Sequence, residues 1–117
     1  MQSPLHSNSK HLKVNQYVFK EILEATPEQL TLKVYDFAIL NCNRKNMIKA
    51  NEAIQELIDS LNFDGEAREI STGLFRLYRY CQDQNRKANF EISTKILTEL
   101  RDTWIDIFNK NKMKNVY

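Results

Sequence analysis

Thr26-Pro27-Glu28-Gln29-Leu30 leads through Thr31-Leu32-Lys33 into Val34-Tyr35-Asp36, and this stretch decides the class of fold. The Thr26 hydroxyl can cap a helix, Pro27 suits the first helical turn, where an N–H has no partner, and Gln29 can reach back to close a capping box. The segment then stays largely apolar until the polar Asn41-Cys42-Asn43. Leu30, Val34, Phe37 and Ala38 make one stripe at helical spacing, and Leu32, Tyr35 and Ile39 make a second. Two stripes require a helix that is touched on more than one side.

Further helices are predicted on both sides of it. Upstream, over 14–25, Val14, Tyr17, Val18, Ile22 and Leu23 fall on one side of a short helix. Downstream, 46–61 points Ala50, Ile54, Leu57, Ile58 and Leu61 inward, and Asp64-Gly65 then punctuates the chain, with Asp64 a candidate cap. The next segment carries Ile70, Leu74, Leu77, Tyr78 and Cys81, and the last carries Leu97, Leu100, Trp104, Ile107 and Phe108. No Gly or Pro divides these two. At about 100° per residue, however, their stripes lie more than a quarter-turn apart, so the polar run over 82–87 is read as the break. Short connections make sequential helices antiparallel. The expected fold is all-α: an up-down-up-down four-helix bundle with an additional short N-terminal helix. Its two loops at 41–46 and 84–89 then share one end, gathering Arg44, Lys45, Lys49, Arg86 and Lys87. Glu28, Asp59, Asp64, Glu66 and Glu69 gather at the other, partly as helix dipoles favour.

A chain of 117 residues is one domain, and two Gly and two Pro are too few for a hairpin-rich β fold. The domain is expected over 13–110, after a disordered polar tail at 1–12 and before a flexible basic tail at 111–117. No apolar run approaches the roughly 20 residues of a membrane span, and the N-terminus has no signal-like apolar core, so no membrane insertion is expected. Cys42 and Cys81 make no disulfide framework, which fits a reducing, cytoplasmic setting. Net charge is +2. Setting aside Lys10, Lys13, Lys20, Lys110, Lys112 and Lys114 leaves 11 basic against 15 acidic residues, so the body is mildly acidic and no nucleic-acid partner is expected.

Catalytic constellations are missing from the sequence. His6 and His11 fall in the polar tail, and there is no His-x-x-x-His, no Glu-x-x-His and no Gly-rich phosphate loop. Cys81 has Arg79 nearby but continues an apolar stripe, which reads as core. No cofactor and no enzyme activity are expected. The rings stand out instead. Tyr17, Phe19, Tyr35, Phe37, Phe75, Tyr78, Tyr80 and Phe90 point in too many directions for a slim bundle to hide them all. An apolar groove left on a bundle suits another helix.

The run Tyr17…Ala25-Thr26-Pro27-Glu28-Gln29-Leu30…Tyr35-Asp36 resembles the start of the flagellar secretion chaperone family FliS. Ile48-Lys49-Ala50…Ile54…Leu57…Leu61, Ile70…Leu74…Leu77-Tyr78-Arg79-Tyr80 and Leu97…Leu100-Arg101-Asp102-Thr103-Trp104 keep that family's order over roughly Gln16 to Phe108. The resemblance implies a cytoplasmic chaperone that holds the disordered C-terminal region of flagellin as helices in apolar grooves. It also implies delivery to the flagellar type III export gate and, more distantly, contact with an anti-sigma factor. Tyr17, Tyr35 and Ile54 stand at matching positions as groove residues. Val18 and Ile22, beside Tyr17, would cover the groove when it is empty, and Phe37 adds a ring where the family pattern has Gly. Gly73 stands where that pattern is polar. The stretches 35–48 and 78–100 are shorter than the pattern by roughly a dozen and roughly seven residues, which at about 1.5 Å per residue removes about 5–10 Å from the basic end. The alternatives are a bundle of the same kind that binds another helical client, such as a flagellar regulator, and, more remotely, an enzyme or nucleic-acid binder on the same scaffold.

Overall fold

The computed structural model describes residues 27–116, with side chains as far as residue 111. Four helices run in order: α1 (Pro27–Asn43), α2 (Met47–Asp59), α3 (Ala67–Arg86) and α4 (Phe90–Val116), with no strand among the described residues. The expected tail at 1–12 and short helix at 14–25 lie outside them. The chain divides into two units between Leu30 and Thr31, and every contact below lies within the second.

One expected boundary, the start of α2, is drawn by side-chain capping. Helix α1 opens at Pro27, as expected, but runs to Asn43, past the expected end before the polar 41–43, because Asn41 and Cys42 turn inward and are buried. Asn46 caps α2, its side chain accepting the Lys49 N–H at 3.2 Å. The turn after α1 is a backbone motif: the Lys45 N–H bonds to the Cys42 carbonyl at 3.0 Å and the Asn46 N–H to the Asn41 carbonyl at 2.8 Å. The turn after α3 repeats it, with Ala88 N–H on the Asn85 carbonyl and Asn89 N–H on the Gln84 carbonyl. Each turn places one residue in the left-handed region, Lys45 at φ 58 and Ala88 at φ 63. Glycine is the usual occupant there, because it has no Cβ to meet the following carbonyl.

The remaining boundaries differ from expectation. Asp64 does not cap α3. Its backbone carbonyl closes a tight turn onto the Ala67 N–H, Gly65 takes φ 50 within that turn, and the cap position falls to Glu66 without a side-chain bond. The polar run at 82–87 is not the break: α3 continues to Arg86, and only 87–89 connects it to α4. Gln82, Gln84 and Asn85 are buried, so their polarity serves the interior. Helix α4 runs to Val116, past the expected tail boundary at Lys110.

Bonds between helices fix the topology. Asn51 Nδ2 donates to the Gln82 carbonyl and Ser71 Oγ to the Asn62 carbonyl, so α2 and α3 run in opposite directions. Ser93 Oγ donates to the Cys81 carbonyl at 2.9 Å across the short α3–α4 turn. Asp36 pairs with Arg101 and Trp104 Nε1 donates to Tyr35, which sets α1 against α4, while Tyr35 meets Tyr78 and Cys42 meets Asn85 along parallel α1 and α3. The up-down-up-down bundle is therefore observed, with both short turns at one end.

The core is Tyr35, Ala38 and Cys42 from α1, Ala50, Ala53, Ile54, Leu57 and Ile58 from α2, Tyr78 and Cys81 from α3, and Leu97 from α4. Leu61, Leu74, Leu100 and Trp104 pack against it half-buried. Full burial of a Leu or Ile side chain contributes about 1.5–3 kcal/mol. The inward stripe of α3 is Ser71, Leu74, Tyr78, Cys81 and Asn85, at steps of three and four. Ile70 and Leu77, expected inward, are exposed, as is Ile107 on α4.

Candidate functional site

At the centre of the bundle three rings share hydrogen bonds. The Tyr35 and Tyr78 hydroxyls lie 2.5 Å apart, and Trp104 Nε1 donates to the Tyr35 hydroxyl at 2.9 Å. Burial pushes both phenols above their usual range, and bonds to the neighbouring rings act against this at Tyr35 without cancelling it. Burial likewise raises the Cys42 thiol, and raises the Cys81 thiol to about 12, with neighbouring Cys42 adding to the effect. A protonated, buried thiol is a poor nucleophile, so Cys81 acts as a core residue despite nearby Arg79. Among the described residues no group of three His, Cys, Asp or Glu could hold a metal ion. None of the described helices is long and apolar enough to cross a membrane.

The groove residues expected from the sequence separate into three sets. Tyr17, Val18 and Ile22 lie outside the described residues. Tyr35 and Ile54 are both 0% exposed and belong to the core, so neither presents a surface to a client in this conformation. The reason is position: Tyr35 sits where α1 faces α3 and α4, and Ile54 sits at the middle of the inward face of α2. Phe37 is exposed with Leu40 on the side of α1 turned away from Tyr35.

The more continuous apolar surface runs between α3 and α4. On α3, Ile70, Leu77 and Tyr80 are exposed and, with Gly73 between them, repeat at steps of three and four along one face. Polar bonds to α2 come from the other flank, through Gln82 and Ser71, so this stripe lies on the α4 side. On α4, Ile92 and Ile107 are exposed and Ile96 and Leu100 half-buried. They occupy the flank away from Arg101, which is turned to α1. Because the helices are antiparallel, Leu77 comes level with Ile96 and Ile70 with Ile107. Nothing lies within 4 Å of a Cβ built on Gly73, so the apolar stripe meets open space midway along α3. Ile70 is 66% exposed, an unusual setting for a large aliphatic flanked by others of its kind.

The surplus of rings is legible in the sequence, whereas this apolar surface is not. Its signal was the pair of offset stripes on α3: a line through Ser71, Tyr78 and Asn85 places Ile70 and Leu77 on the flank.

A family model described as "Flagellar protein FliS" matches residues 10–111. No match was found among curated proteins or among solved structures.

Proposed function

This chain belongs to the FliS flagellar protein family, a family of export chaperones, and from that premise we propose that it binds the C-terminal region of flagellin as helix. The observation that carries this reading is the run of exposed and half-buried apolar side chains along the α3–α4 seam, Ile70, Leu77 and Tyr80 on α3 and Ile92, Ile96 and Ile107 on α4, which we read as a furrow for the client. A disordered segment that folds on binding gives up on the order of 2–5 kcal/mol in ordering, so it needs a long apolar contact rather than a few polar ones. The furrow offers that over several helical turns. The exposed Phe37 and Leu40 provide a second strip on α1, toward which a wrapping client could continue. Holding the apolar face of the client prevents it from pairing with other copies. Delivery to the type III export gate, contact with an anti-sigma factor and a cytoplasmic setting complete the proposal. It requires no cofactor and no bond-making step.

Titration calorimetry with a peptide from the flagellin C-terminus tests it. Ile70→Glu combined with Leu77→Glu should weaken binding by tenfold or more, since roughly 1.4 kcal/mol corresponds to a factor of ten, while the melting temperature stays near that of the parent. Absence of binding by the parent chain at tens of micromolar, or unchanged binding by the variant, would overturn the reading.

A further inference from the structure

Four of the six arginines in the sequence lie on α3, which has no lysine: Arg68, Arg76, Arg79 and Arg86. Arg68, Arg79 and Arg86 are spaced by three and two turns and share a face, and Arg76 stands one turn before Arg79 on the adjoining line. All four are exposed. Arg86 has a local explanation, since it ends the helix and pairs with Asp83 at 3.3 Å. Arg68 Nε donates to the Phe63 carbonyl at 3.2 Å. Arg76 and Arg79 have no such explanation. They sit mid-helix, where the dipole has no preference, and as like charges three apart they weaken the helix. Neither has a carboxylate within 4 Å among the described residues, and Asp59 on neighbouring α2 takes its bond from Gln55 instead. The Arg79 guanidinium lies 5.9 Å from the centroid of the exposed Phe75 ring, which holds the fork at the surface. The stripe continues into the turns at its C-terminal end, where Lys87, Arg44 and Lys45 are exposed without ion partners among the described residues.

From this arrangement we propose that the arginine face of α3 is a docking surface for an acidic segment of a partner polypeptide. Its carboxylates would engage Arg76 and Arg79, and an apolar residue beside them would rest on Phe75. Planar guanidinium forks favour carboxylate partners that accept two bonds at once. From Arg68 to Arg86 the face spans about 27 Å, the length of about eight extended or eighteen helical residues. A nucleic acid would bring closely spaced phosphates against the exposed Glu52, Glu56 and Asp59 of α2, whereas a polypeptide can place its acids only where arginines meet them. The line through Arg68, Arg79 and Arg86 lies on the flank of α3 away from the α3–α4 furrow, and Arg76, four residues before Tyr80, borders the furrow.

The test uses fluorescence anisotropy on the full chain at about 50 mM salt, where surface charge is weakly screened. The probe is a labelled helical peptide of about eighteen residues with glutamates and one leucine row on the same face. Arg76→Gln with Arg79→Gln should weaken binding about tenfold, and Arg76→Lys with Arg79→Lys, which keeps the charge but removes the forks, about threefold. Replacing Lys110, Lys112 and Lys114 by Gln should change it by less than about twofold. Thermal melts establish that each variant is folded. The proposal is overturned if the tail variant weakens binding as much as the arginine variant, or if the lysine variant binds like the parent. It is also overturned if no binding is detected, or if an oligonucleotide of similar length or phosphatidylglycerol vesicles bind more tightly than the peptide.

Discussion

Tyr35 brings a polar atom to the middle of the bundle and satisfies it twice, through Tyr78 and Trp104. Tyr35→Phe keeps the ring but leaves a buried hydroxyl and an indole N–H short of a partner, so urea unfolding should register a loss of about 1–3 kcal/mol. Tyr35→Glu should lower the melting temperature and client affinity together, as expected of a core position. Cys81 makes a pH-dependent contribution. Its thiol is raised to about 12 in the fold and titrates in the ordinary thiol range when unfolded. Below that ordinary range the contribution is fully present, and it is lost as pH rises toward 12, because the unfolded chain releases its proton first. Thermal melts from neutral pH to pH 11 should therefore fall more steeply for the parent than for Cys81→Ala, which has no proton to lose.

At the scale of helices, the ends that could be read were written in side chains, namely Pro27 at the start of α1 and Asn46 before α2. The ends that could not be read are made by backbone. Lys45 and Ala88 occupy left-handed positions without being glycine, so no punctuation appears in the sequence at either turn. Ala88→Gly should raise stability by about 0.5–1 kcal/mol, the relief of the Cβ clash less the entropy that glycine adds to the unfolded chain. Gly73 is the opposite case, a glycine inside a helix with space around it. Gly73→Ala should stabilise by about 0.5–1 kcal/mol in a chemical melt, and Gly73→Arg should keep the fold while obstructing the furrow. The polar run on α3 was misleading for a related reason. Gln82 Nε2 donates to Gln55 and to the Asn51 carbonyl, and Asn85 Nδ2 donates to Asn51, so these amides bond one another inside the bundle, with Gln82 Oε1 left unpartnered. Hydropathy alone counts such residues as loop. The groove residues carried over by resemblance suffered similarly: Tyr35 and Ile54 mark where the interior is, and the exposed apolar stripe lies one flank away on α3.

Across the whole molecule, charge is arranged by topology. The turns after α1 and α3 meet at one end and carry Arg44, Lys45 and Lys87, while Asp59, Asp64 and Glu66 lie at the other. Asp36 and Arg101 tie the first helix to the last across a half-exposed surface. Asp36→Ala should cost less than about 1 kcal/mol, and the difference from the parent should shrink in molar salt as screening removes the pair's attraction. The amides joining α2 to α3 have a mechanical consequence. Sliding one helix along the other by a turn would strand Asn51, Gln82 and Asn85 away from any partner, so the two move as a single stave. The seam toward α4 is mostly grease, pinned by the Ser93 hydroxyl near the turn and by the Tyr78–Tyr35–Trp104 cluster, with less register to defend. When a foreign chain wedges into this protein, that seam is where the timber gives.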